Sequence, residues 1–243
     1  MATEEAGGRV VQEPVTVWGR PERGARGPAA AHSRAELTAV AVELADREGL
    51  PAVTMRQVAK ALGTGQASLY RYVSGFEDLL DLMSDAVTAE VALDVPLEDD
   101  PVEDLVALAV RTKAVQLRHP WLLDIPPEPL RLGPRGLDYL EYALRATAPA
   151  RLPGRTRMEA VALMNALVAQ LARAELQAGR AHTHRQAAQA AYLSEAAAQG
   201  QRPALAAAMA DHAEASPAEE PQALFERTMR RVLTGLLSPG PSR

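Results

Sequence analysis

From Thr54 to Val73 the chain reads TMRQVAKALGTGQASLYRYV, two short helical periods meeting at Gly63-Thr64-Gly65. So tight a glycine break leaves room only for a turn between two helices that pack on each other. The first period aligns Met55, Val58, Ala59 and Leu62 on one face at i, i+3, i+4 and i+7, and Gly63 stops it. The second, from about Gln66 to Tyr72, offers only Leu69 and Val73 for burial, with Ala59 small where the two helices cross. That spacing predicts Gln66, Ala67, Ser68, Tyr70, Arg71 and Tyr72 outward or at the flanks. A core helix would carry leucines there.

The flanking chain is organised the same way. Three Ser or Thr residues are each followed three positions later by Glu or Gln: Ser33 and Glu36, Thr54 and Gln57, Ser74 and Glu77. Each pair can form a capping box that satisfies the orphan N–H groups of a helix start. The predicted helices are Arg34 to Glu48, Met55 to Leu62, Gln66 to Tyr72 and Gly75 to Leu93. Further helices are predicted from Pro101 to Arg118, Pro134 to Ala146 and Gly154 to Gln177, then over an Ala-rich pair and from Gln222 to Leu237. No alternating strand pattern interrupts them, so the expected fold is all-α. Residues 1–32 mix Gly, Pro, Arg and Glu without a period and read as a flexible arm. Residues 33–80 form the short-helix module, and 81–240 a larger helical domain.

Basic residues outnumber acidic ones between Arg20 and Gly75, although the whole chain carries a net charge of −5. A basic module is joined to an acidic body. The chain has no cysteine, which excludes disulfides, thiolate metal sites and cysteine nucleophiles. Its longest apolar run, Val161 to Ala172, is broken by Asn165 and Gln170 and falls short of the roughly 20 residues that span a bilayer. With Glu4 and Glu5 at the N-terminus and no apolar leader, a soluble cytoplasmic protein is expected. His182 and His184 sit two apart, so a helix points them to different faces and no metal site is expected. No phosphate loop or nucleophile constellation suggests an enzyme, and no cofactor is expected.

A three-helix unit whose last two helices meet at a Gly-containing turn is a helix-turn-helix, and its polar second helix has the groups that read DNA. Gln and Arg make bidentate contacts to purine edges, Ala meets a thymine methyl, and Ser and Tyr hydroxyls reach phosphates. The bland alternative is a small bundle with no nucleic-acid role; the outward Gln-Ala-Ser-x-Tyr-Arg face and the local positive charge argue against it. Residues 33–82 resemble the DNA-binding domain of TetR-family transcriptional regulators, actinobacterial ones in their arginine-rich usage. The resemblance is carried by Leu69, Tyr70, Tyr72 and Val73 and by the acidic-Leu-Leu run Asp78 to Leu80. It implies base contacts from Gln66, Ala67, Arg71 and Arg56, and phosphate contacts from Thr54, Ser68, Tyr70 and Tyr72. Many members have a phosphate-binding lysine where this chain has Phe76, so that contact is lost. Arg20, Arg23 and Arg26 read either as a minor-groove arm or as plain disorder.

The resemblance further implies a homodimer on a double-stranded operator and a small-molecule effector held in the C-terminal domain. Two helices suit a dimer seam. One presents Met158, Val161, Ala162, Asn165, Ala169 and Ala172; the other presents Leu224, Phe225, Thr228, Val232, Leu236 and Leu237. Packing within the domain is the competing reading. His119, Trp121, Tyr139, Tyr142, Met164 and Asn165 supply the mix of apolar bulk and polar anchors that an effector pocket needs. Asn165 could instead set the register of a dimer seam. The expected function is ligand-responsive repression, with an activator, or a DNA-binding protein without effector, as the alternative.

Overall fold

The computed structural model describes residues 16–20, 32–126, 131–178, 184–214 and 220–238. Among these every regular element is helical. They form two compact units, residues 1–89 with 124–137, and residues 90–123 with 138–243.

The first unit holds α1 (Arg34–Glu48), α2 (Met55–Ala61), α3 (Gln66–Leu69) and α4 (Phe76–Thr88). Leu37, Ala41 and Leu44 of α1 are buried with Met55, Val58 and Ala59 of α2, as are Leu69, Val73, Leu79, Leu80 and Met83. The capping signals fare unequally. Ser33 and Glu36 form the full box: the Ser33 Oγ accepts the Glu36 N–H at 3.1 Å and the Glu36 carboxylate accepts the Ser33 N–H at 2.8 Å. The Thr54 hydroxyl accepts the Gln57 N–H at 3.2 Å. The Ser74–Glu77 box does not form, because Gly75 is the cap of α4 and the Ser74 N–H and hydroxyl both donate to Asp78, at 2.5 and 2.7 Å. An ionised carboxylate one position further on outcompetes the glutamate.

Gly63 has φ +67°, a backbone region L side chains avoid, and it turns α2 into α3. The helix expected through Tyr72 is regular only to Leu69; beyond it the Arg71 and Tyr72 amides donate to Ser68 and Leu69 in tight turns. The helix expected through Leu93 ends at Thr88. No glycine or proline stands between that end and Pro96, so it carries no local signal.

Residues 16–20 correct the expectation of an unanchored arm. Val17–Gly19 form a 3-10 turn that packs on α4, with Val17 wholly buried. The 124–137 segment belongs to the same unit. Arg131 donates to Asp81 at 2.6 Å and to Glu77 at 2.8 Å, and the Gly136 N–H donates to Asp85 at 2.9 Å. At Gly133 any side chain would collide with Asp85 and the Trp18 ring, so only glycine permits the approach.

The second unit contains α5 (Pro101–Arg118), most of α6 (Pro134–Ala146), α7 (Gly154–Ala178), α8 (His184–Ala198), α9 (Pro203–Glu214) and α10 (Pro221–Leu237). α5, α7 and α10 pack mutually, while α8 and α9 pack on each other. The core of this unit includes Leu105, Leu108, Met164, Val168, Phe225, Met229 and Leu233. Phe225, Met229, Leu233 and Leu237 recur every four residues, so this stripe of α10 faces its own domain. The adjacent stripe with Leu224 and Val232 is exposed, as are Met158 and Leu163 of α7.

Candidate nucleic-acid interface and effector seam

The polar residues of the second short helix lie as their spacing predicts, with one exception. Gln66, Ala67, Tyr70 and Arg71 are exposed, Ser68 is half-buried, and Thr54 and Arg56 are exposed at the start of α2. Leu69 and Val73 are buried beneath them. The two helices that carry these residues, α2 and α3, pack on each other. The exception is Tyr72, only 5% exposed where its spacing predicts an outward or flanking position. Its hydroxyl accepts the His32 N–H at 3.3 Å and its carbonyl accepts the Arg34 Nε–H at 2.9 Å. Those partners precede it by some forty positions, beyond the reach of helical periodicity.

Phe76 is half-buried and lines an apolar groove with Leu50, Pro51, Val53 and Pro126. The side chain at the lysine position therefore packs. Arg20 does not stand on free backbone: its Nη1 donates to Asp78 at 2.7 Å. Arg23 and Arg26 lie outside the described residues, as does His182.

In the second unit, the Tyr139 hydroxyl donates to Asn165 Oδ1 at 2.7 Å and shares a hydrogen bond with Thr112 Oγ1 at 3.2 Å. Tyr142 accepts from Arg111 at 3.1 Å and donates to the Val95 carbonyl at 3.0 Å. His119 meets Glu90 at 3.0 Å and Trp121 edge-to-face, with ring centres 6.1 Å apart. Met164 is fully buried on the inward face of α7. A separate groove of about 390 Å³ is lined by Glu103, Val106, Val110, Arg111, Glu226 and Arg230; none of the six predicted effector residues lines it.

Residues 37–83 match the family described as bacterial regulatory proteins, tetR family, and residues 95–238 match the tetracyclin repressor-like C-terminal domain. The chain belongs to the TetR family. It is 36% identical over 177 residues to the HTH-type transcriptional repressor DrrR1 of Streptomyces coeruleorubidus, covering 72% of this chain and 66% of that protein. To an HTH-type transcriptional regulator of Saccharopolyspora erythraea it is 36% identical over 139 residues, covering 56% and 58%. The chain thus spans two thirds or less of the length of these curated relatives. The crystal structure of the TetR family protein ActR from Streptomyces coelicolor, in complex with actinorhodin, superposes with a TM-score of 0.69 at 25% identity, covering 86% of this chain and 96% of that one.

In this TetR-family chain, part of the second unit's polar seam escapes a pattern drawn from aromatic residues. Thr112 joins Tyr139 to α5, and the Arg111 Nε and Gln116 Oε1 are buried without a hydrogen-bond partner. Thr112 and Gln116 lie one turn apart on α5, so polar residues interrupting its apolar period are the available signal. Burial pushes the Tyr139 hydroxyl up to about 12, against the pull of its bonds to Thr112 and Asn165 and of the Arg111 charge. A raised folded value means that the native state keeps this proton while the unfolded chain releases it near 10.0. Stability is therefore expected to fall as pH climbs from about 10 through about 12, and Tyr139→Phe to remove that part of the slope. Denaturation midpoints of the two proteins across this range check it; parallel curves would refute it.

Among the described residues no helix is long and apolar enough to cross a membrane, and no three His, Cys, Asp or Glu residues are grouped to hold a metal ion.

Proposed function

We propose that this chain is a ligand-responsive repressor that binds a palindromic operator as a homodimer and is released by a small molecule. The carrying observation is the division of one short segment. Leu69 and Val73 are buried while Gln66, Ala67, Tyr70 and Arg71 face solvent, which is how a helix enters a major groove with base-reading groups foremost. Arg56 adds a base contact, and Thr54, Ser68 and Tyr70 hold phosphates. Tyr72, buried beneath this surface, supports the segment through its bonds to His32 and Arg34. Dimerisation is supported by apolar side chains left exposed on two helices, Leu224 and Val232 of α10 and Met158 and Leu163 of α7, which a four-helix seam between two copies would cover.

For release, the second unit must hold an effector. The Thr112–Tyr139–Asn165 seam, with unpartnered Arg111 and Gln116 atoms beside it, gives one that hydrogen-bonds through hydroxyl or carbonyl groups somewhere to bind. ActR, crystallised with actinorhodin, shows that a TetR-family relative holds a small molecule. α4 is the last helix of the reading unit before the chain enters the second. An effector that prefers a body conformation with α4 tilted would spoil the roughly 34–36 Å spacing of the two recognition helices. A thousandfold drop in operator affinity requires about 4 kcal/mol of differential binding.

The test is selection of duplexes from a random-sequence pool by the purified chain. Inverted repeats whose half-site centres lie about 10 base pairs, or a multiple, apart are expected. Leu224→Glu with Val232→Glu should give monomers by sedimentation and lose that enrichment. Recovery of single, unpaired sites would overturn the dimeric reading. Enriched duplexes that no small molecule in a metabolite panel displaces would favour a regulator without effector.

A further inference from the structure

The exit of the recognition segment is held from an unexpected direction. α3 is four residues long, and from Tyr70 to Val73 the chain runs through turns anchored by Leu69, Tyr72 and Val73. Three residues on the N-terminal side converge on that anchor. The Arg34 guanidinium donates from Nε to the Tyr72 carbonyl at 2.9 Å and from Nη1 to the Arg20 carbonyl at 3.0 Å. The His32 N–H donates to the Tyr72 hydroxyl at 3.3 Å. Arg20 donates at 2.7 Å to Asp78 Oδ2, the same oxygen that takes the Ser74 N–H and hydroxyl.

Residues 16–20 are in turn fixed to α4. Val17 is wholly buried, and the Trp18 ring closes on Gly133 beside Asp85. The seat is apolar at one end and ionic at the other. Its ionic end meets Ser74, immediately after the segment that reads DNA.

We infer that residues 16–20 form a clamp that positions the recognition segment, with Arg20 acting through Asp78 and Ser74 and, by its carbonyl, through Arg34 on Tyr72. Base readout requires side chains held to a fraction of an ångström, and a four-residue helix cannot supply that rigidity alone. Arg20 is thus a positioning residue and not a DNA contact. Its guanidinium faces a carboxylate, whereas a minor-groove arm needs it free to enter the groove. The inference rests on the proposed function, and its test separates the two.

The full chain and its Arg20→Ala, Arg20→Lys and Asp78→Asn variants are titrated, over a range of salt, with a duplex selected by the wild-type chain and with a scrambled duplex. A positioning role predicts that Arg20→Ala lowers affinity for the selected duplex about tenfold, the scale of one charge-assisted hydrogen bond. Binding to the scrambled duplex and the dependence of affinity on salt should be unchanged. Asp78→Asn, which removes an anion and cannot delete a phosphate contact, should lower affinity in the same direction, and Arg20→Lys should restore part of the loss. Amide exchange at Tyr72 to Ser74 should quicken in Arg20→Ala without DNA present. If Arg20→Ala weakens both duplexes equally and flattens the salt dependence by about one phosphate's worth, Arg20 touches DNA directly and the clamp is wrong. Unchanged affinity and unchanged exchange would also overturn it. A wild-type chain that selects no duplex instead refutes the DNA-reading function, and the exchange measurement then judges the clamp alone.

Discussion

Gln66→Ala combined with Arg71→Ala is expected to leave the chain folded and to abolish its preference for any selected duplex. Both side chains are exposed, and neither fills the core beneath α3. Exposed substitutions of this kind change stability by about 0.5 kcal/mol or less. Each bidentate base contact contributes roughly 1–3 kcal/mol of discrimination, and the proposed dimer, with two such contacts in each copy, would lose four of them. The sum is on the scale of the typical gap of about 4–10 kcal/mol between specific and non-specific binding, so affinity should settle at the non-specific floor. Binding to the selected and scrambled duplexes at one salt concentration, with circular dichroism melts alongside, measures both halves of the expectation. A retained specificity ratio in a folded double variant would remove α3 from the interface.

The largest stability effect is expected in the second unit. The Lys113 side chain is 5% exposed, with its ammonium 3.0 Å from Glu175 and 4.4 Å from the centre of the Phe225 ring. Glu175→Ala leaves that cation buried with only the ring face to meet it. The expected cost is about 3 kcal/mol, at the low end for breaking a buried pair because Glu175 itself is partly solvated. Lys113→Met together with Glu175→Leu removes both charges and should restore most of the loss, since an apolar replacement needs no desolvated partner. Denaturant unfolding of the two variants decides the matter. Equal destabilisation would mean that the site is governed by packing volume and not by charge.

What the amino-acid order discloses here is whatever is local. Pro101, Pro134 and the Gly63 turn announce their helices because a fixed φ or a left-handed backbone acts within a residue or two. The four-residue recurrence of Phe225, Met229, Leu233 and Leu237 is similarly self-contained. Tyr72 defies its spacing because its burial is decided by His32 and Arg34, which no helical period connects to it. Arg20 resembles a groove-seeking arm since nothing near position 20 shows that Asp78 awaits it. Arg131 is invisible for the same reason: it stands fifty residues from the α4 carboxylates it binds. Within the seam, Tyr139 and Asn165 stand out as polar anchors, whereas Thr112, which hydrogen-bonds Tyr139 from α5, does not.

The donors that meet the acidic side of α4 set a limit on domain exchange. A designer who transplants the reading domain into another regulator would naturally cut near residues 37 and 83, the span that the family match covers. That cut carries Glu77, Asp78 and Asp81 away from Arg20 and Arg131, and discards the glycine at 133 that lets Trp18 close. A portable version must bring residues 16–20 and 124–137 with it. The transferable piece is therefore discontinuous along the chain, and a fusion with a single join cannot reproduce it.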